Sequence, residues 1–130
     1  MVRKKPTVIF DFDGVINSYV SGWTGADNTP DPPVEGIREA IAQIRHYYRV
    51  VVVSSRCYQP GGIEAIRAWL DKYDIAVDDV TDEKPPAKVL VDDRAILFDG
   101  NATVLLDKIN TFQPWTKRNK SNETGRRIKP

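Results

Sequence analysis

Thr7-Val8-Ile9-Phe10-Asp11-Phe12-Asp13-Gly14-Val15 is the stretch on which the reading of this chain turns. An apolar, β-branched run breaks abruptly into Asp-Phe-Asp-Gly. A short apolar run bounded by a turn signal is the pattern of a buried strand entering a polar loop. The pattern returns at residues 49–53, which close on Ser54-Ser55-Arg56, and at residues 88–91, which close on Asp92-Asp93. Residues 75–80 read as a weaker strand with a polar edge, and residues 95–98 as a short fifth one. Between the strands, Ile37, Ala40, Ile41 and Ile44 fall at helical spacing, as do Ile63, Ile66, Trp69 and Leu70. A short helix is expected over residues 103–109. Residues 17–33 are dense in turn formers and read as an irregular excursion, and Lys84-Pro85-Pro86-Ala87 as a stiff connector.

Strands alternating with helices predict an α/β protein with a parallel sheet. Such sheets bind ligands beyond the carboxyl ends of their strands. Three polar clusters, far apart in sequence, follow strands here: Asp11 with Asp13, Ser54 with Ser55 and Arg56, and Asp92 with Asp93. All three are therefore expected along one edge of one sheet.

Composition narrows the class. The chain has 130 residues, the size of one domain, with 41% hydrophobic and 28% charged residues, as in ordinary globular proteins. The domain is expected to span residues 1–116. Residues 117–130 are basic and nearly without apolar side chains, and read as a disordered tail. The net charge of +1 hides an asymmetry, because residues 6–116 hold ten Lys/Arg against seventeen Asp/Glu. An acidic body with basic ends is not a simple nucleic-acid-binding domain. Its acidic excess suits a cation site, and surface solubility explains it equally well. The lone Cys57 makes no internal disulfide, and no apolar run is long enough to span a membrane. The basic start runs into an apolar stretch that ends at Asp11, unlike a signal peptide. A cytoplasmic protein without a membrane partner is expected.

Several carboxylates crowded at one edge cannot all stay ionised without a cation. A few oxygen ligands with room for water suit Mg²⁺, which in turn suits phosphate. The Ser54 hydroxyl and the Lys84 ammonium would complete the neutralisation of a phosphoryl group. With a carboxylate nucleophile at hand, the reaction class is phosphoryl transfer through an aspartyl-phosphate.

Asp11-Phe-Asp-Gly-Val15, Ser54, Lys84-Pro85 and Val91-Asp-Asp93 resemble, in order, the four motifs of the haloacid dehalogenase superfamily of phosphohydrolases. The likeness covers residues 7–99. It extends to small bacterial and phage members and, more thinly, to the phosphatase half of polynucleotide kinase-phosphatases, through the Ser-x-Arg and Asp-Asp-Arg elements. The resemblance implies a Rossmann-like three-layer sandwich with a central parallel sheet. It implies Asp11 as nucleophile and Asp13 as the group that protonates the leaving group and then deprotonates water. Ser54 and Lys84 would bind phosphoryl oxygens. The Asp11 carboxylate, the Asp13 carbonyl, Asp93 and Asp92 would hold Mg²⁺. Of the two adjacent acids Asp93 is the preferred direct ligand, since it matches the acid of the family's usual Gly-Asp pair. The further acid usual four or five residues later is replaced here by Leu97 and Phe98, so Asp92 stands as its substitute. Twenty residues separate Asp13 from Val34 and twenty-nine separate Ser54 from Lys84, too few for a cap domain. A capless site is open to a large substrate such as a nucleic-acid end.

Alternatives stay open at several positions. Ser55 competes with Ser54 and Lys88 with Lys84. Arg56 either grips substrate phosphate or pairs with acids, and Trp23 either packs the excursion down or stacks on a base. For the whole chain the rivals to a general phosphomonoesterase are a polynucleotide or nucleotide 3′-phosphatase, a dehalogenase, and a non-catalytic binding module on the same fold.

Overall fold

The structure, a computed structural model, describes residues 4–117. The expected disordered tail lies outside the described residues, apart from Lys117. The chain divides into two compact units between Asp92 and Asp93, inside the stretch that the sequence reads as one domain.

The first unit carries four strands, β1 (Thr7–Phe10), β2 (Arg49–Val53), β3 (Asp79–Thr81) and β4 (Val89–Val91). Two helices lie between them in the chain, α1 (Ile37–Ile44) and α2 (Gly62–Lys72), with a 3₁₀ turn at Ser55–Tyr58. The strands form one all-parallel sheet in the order β3-β2-β1-β4. A parallel sheet joined by helical crossovers is the α/β architecture expected from the alternating pattern. Phe10 pairs with Val52 on one side and Val91 on the other, so β1 and β4 end level and β2 runs one residue further, to Val53.

Burial follows the apolar pattern. Val50, Val51 and Val52 are fully buried, as both faces of a central parallel strand should be. Ile41 of α1 and Ile66, Trp69 and Leu70 of α2 join Val8, Phe10, Phe12 and Ile16 in the core. The Phe12 and Trp69 rings meet edge to face at 4.9 Å. The Trp69 indole N–H donates to the Asp31 carbonyl at 2.8 Å, which ties the 17–33 excursion to α2.

The strand expected over 75–80 is confined to Asp79–Thr81. Asp74 adopts a left-handed backbone (φ 58) just past the end of α2. That geometry lets the Ile75 N–H cap the Leu70 carbonyl at 2.9 Å and turns Ile75 into the core. Ile75 therefore closes a helix rather than begins a strand, and the first bond to β2 is made by the Asp78 N–H to the Val50 carbonyl at 2.8 Å.

Asp78 supports the approach to β3. Its carboxylate accepts from the Val50 N–H at 2.7 Å and from the Arg45 guanidinium at 2.8 Å. The hydrogen bond from Arg45 leads in holding its carboxyl below the ordinary value, against a desolvation cost that pushes the other way. A lowered carboxylate contributes stability above its unfolded pKa and loses it as pH falls through the folded one. Asp78→Asn should thus cost about 1–2 kcal/mol above about pH 5, after discounting for partial exposure. The deficit should shrink toward zero in acid, as read by urea unfolding at a series of pH values.

In the second unit, Asn101 caps a 3₁₀ turn (Ala102–Val104) that leads into α3 (Leu105–Thr111), two residues later than the expected helix. Residues 95–98 form no strand. An apolar tetrapeptide becomes a strand only when a neighbour accepts its ladder, and the periodicity of so short a run does not reveal one. Among the described residues no helix is long and apolar enough to cross a membrane.

Candidate active site

The carboxyl ends of β1, β2 and β4 deliver the polar residues. Asp11 follows Phe10, and its N–H continues the ladder to the Val91 carbonyl at 2.9 Å. Ser54 follows Val53, and Asp92 follows Val91. Thr81 pairs with Val53, and the chain beyond it carries Lys84 back toward the same edge. As a result Asp11, Lys84 and Asp92 line one cavity of about 180 Å³, together with Ile9, Val53, Leu90 and Val91. Asp11 is half-buried, whereas Lys84 and Asp92 are exposed. Lys88 sits elsewhere, at the amino end of the sheet, where its N–H donates to the Thr7 carbonyl.

Carboxylate oxygens of Asp11 and Asp92 lie within 4.8 Å of each other. Two oxygens on one Mg²⁺ stand at most about 4.2 Å apart, from bonds of about 2.1 Å. The donors are hard oxygens of the kind Mg²⁺ takes, and their side chains would have to bring the oxygens within that limit to share one ion. Asp93, the next carboxylate in the chain, opens the second unit.

The loop after β1 is wound by a single carbonyl. Phe12 O accepts from the N–H groups of Val15, Ile16 and Asn17, and Gly14, at φ 79, makes the turn that allows it. This turn brings Asn17, fully buried, back over Asp13. The Asn17 amide donates to Asp13 Oδ1 at 2.9 Å, and Arg56 Nε donates to Asp13 Oδ2 at 2.8 Å. Both oxygens of Asp13 are thus held by donors that approach from different segments.

Arg56 is fully buried, and its Nε and Nη1 donors face inward. Besides Asp13, it reaches the excursion, where Nη1 lies 2.7 Å from Gly25 O, 3.0 Å from Ala26 O and 3.1 Å from Asn28 O. Its guanidinium also stacks on the Trp23 ring, 4.9 Å from the centroid. Of the two uses left open by the sequence, the geometry has Arg56 pairing with an acid, and Trp23 packing on Arg56.

Ser54 is buried and caps the 3₁₀ turn, its hydroxyl oxygen accepting from the Arg56 N–H at 3.2 Å. The hydroxyl proton remains for donation. Ser55 is exposed. Cys57 is buried, and desolvation is the main cause that pushes its thiol pKa up, which disfavours the thiolate.

Sequence reasoning missed Asn17 as a partner of Asp13, and the clasp that Arg56 makes. The four-residue spacing from Asp13 to Asn17 was the available signal, but it lies in a segment of turn formers that carries no helical pattern. Comparisons with family models, with curated proteins and with solved structures found no match.

Proposed function

We propose that the protein is a Mg²⁺-dependent phosphomonoesterase working through an aspartyl-phosphate, and a capless Rossmann-like member of the haloacid dehalogenase superfamily. The observation that carries this reading is the cavity shared by Asp11, Lys84 and Asp92 at the carboxyl edge of a parallel sheet. A carboxylate nucleophile, an ammonium and a second carboxylate are the groups that phosphoryl transfer to a side chain requires.

Asp11 attacks phosphorus, forming a new P–O bond to its carboxylate while the ester P–O bond breaks. Asp13 donates a proton to the departing alkoxide. Water then attacks the phosphorus of the Asp11 acyl phosphate, Asp13 takes its proton, and inorganic phosphate leaves as the Asp11 carboxylate is restored. Lys84 and Ser54 hold the non-bridging oxygens, whose charge rises in both transition states. Asp11 and Asp92 would hold Mg²⁺, with Asp93 and the Asp13 carbonyl as the further expected ligands. When bound, the ion neutralises phosphoryl charge and offsets the repulsion between an anionic nucleophile and an anionic substrate.

A screen of phosphate monoesters, 3′-phosphorylated oligonucleotides among them, tests the proposal. Hydrolysis should vanish with chelator and return with Mg²⁺. It should fall at least about 100-fold at fixed Mg²⁺ in the Asp92→Ala, Asp93→Ala double variant. Activity indifferent to chelation would remove the metal from the account. Inactivity on every ester would leave a binding module.

A further inference from the structure

We propose that Arg56 is a positioning residue that aims Asp13 and couples it to the 17–33 excursion. The inference rests on the phosphatase reading and concerns how its acid/base is controlled.

Arg56 lies forty-three residues from Asp13 in sequence, yet is its buried ion-pair partner at 2.8 Å. One face of the contact is fixed. Nε and Nη1 stand at a set angle on a rigid guanidinium plane, so anchoring Nη1 on three backbone carbonyls sets where Nε points. Those carbonyls belong to Gly25, Ala26 and Asn28, and Trp23 of the same excursion stacks on the plane. Asn17, at the base of the excursion, holds the second oxygen of Asp13. The orientation of the Asp13 carboxylate thus depends on the excursion keeping its place.

Anchoring the excursion accounts for the Nη1 contacts, but stability alone is an incomplete reason for the whole arrangement. The Nη2 atom is buried with no hydrogen-bond partner among the described residues. An orphaned donor of that kind is unfavourable, and a buried ion pair is often matched or bettered by apolar residues of equal volume. An apolar residue could not supply the donors to the Gly25, Ala26 and Asn28 carbonyls, nor the directed donor to Asp13 that those carbonyls hold in place. Proton transfer tolerates little error in distance or angle, so direction has kinetic value.

The consequence is specific. A leaving group that departs without a proton does not need Asp13 in the first step, whereas an alkoxide does. The quantity to measure is kcat/KM, which reports steps through release of the alcohol. It would be determined for dinitrophenyl phosphate and for an alkyl phosphate with the same Mg²⁺-loaded protein. Arg56→Lys keeps the charge but loses the fork. It should lower kcat/KM on the alkyl ester about 100-fold and on the dinitrophenyl ester less than about 3-fold. Trp23→Ala, at a residue 48% exposed whose loss the fold should survive, should give the same selective pattern at a few-fold scale. Equal losses on both esters, or none on either, in whichever of these variants folds would overturn the positioning role. Wild-type protein inactive on both esters would instead overturn the phosphatase reading beneath it.

Discussion

Asp11→Asn should abolish phosphate-ester hydrolysis and leave the fold in place. The substitution keeps the shape of the side chain and removes its charge and nucleophilic oxygen. The backbone role of the position is untouched, since the N–H bond to Val91 O belongs to the main chain. Its half-buried side chain sits in the cavity with Lys84 and Asp92, so relief of carboxylate crowding opposes any packing loss. If Asp11 carries the phosphoryl group, turnover falls on the order of 10³-fold or more, because Ser54 and Lys84 can polarise the ester but not attack it. The stability change should stay within about 0.5 kcal/mol. Steady-state hydrolysis and thermal unfolding on the same sample separate the two. A variant that keeps a tenth of wild-type activity would exclude Asp11 as nucleophile.

Gly62→Ala should damage the same site through the backbone. Gly62 opens α2 and is buried against the turn that carries Arg56. A Cβ at this position would lie 1.7 Å from the Arg56 carbonyl oxygen and 2.5 Å from its carbonyl carbon. Neither is the tip of a flexible side chain, so α2 or the 3₁₀ turn must move. Overpacking that displaces backbone costs about 3 kcal/mol or more, a large share of the roughly 5–15 kcal/mol that holds a domain. The midpoint of thermal unfolding should drop by roughly 10–20 °C. Gly36→Ala is the control. Its φ of 82 strains an alanine, but nothing lies within 4 Å of the new Cβ, so about 1 kcal/mol is expected. Equal effects at the two glycines would show that the close approach at Gly62 carries no weight.

Strands β1 and β2 were legible because unbroken β-branched runs ended at polar turns. Ile75 misled, since an apolar residue after a helix reads as the start of a strand. Only the left-handed Asp74 reveals that Ile75 belongs to the helix cap. Residues 95–98 misled for another reason, because apolar character does not say whether a partner strand is present. The places of Asp11, Ser54 and Asp92 could be read from strand ends, since parallel strands bring their carboxyl ends to one edge. The inward face of Arg56 could not. Three of its acceptors are main-chain carbonyls, which every residue owns, so no side-chain pattern announces them.

The central claim is a covalent phosphoryl group on Asp11, and it can be trapped. Asp13→Ala should slow the attack of water while sparing the departure of a phenol that needs no proton. Mixed with dinitrophenyl phosphate and Mg²⁺, this variant should release about one equivalent of phenol in a burst and then stall. Acid quench and borohydride reduction during the stall should convert Asp11, and no other acid, to homoserine, as read by peptide mass spectrometry. A wild-type protein that hydrolyses the ester while Asp13→Ala shows neither burst nor homoserine at Asp11 would contradict the account.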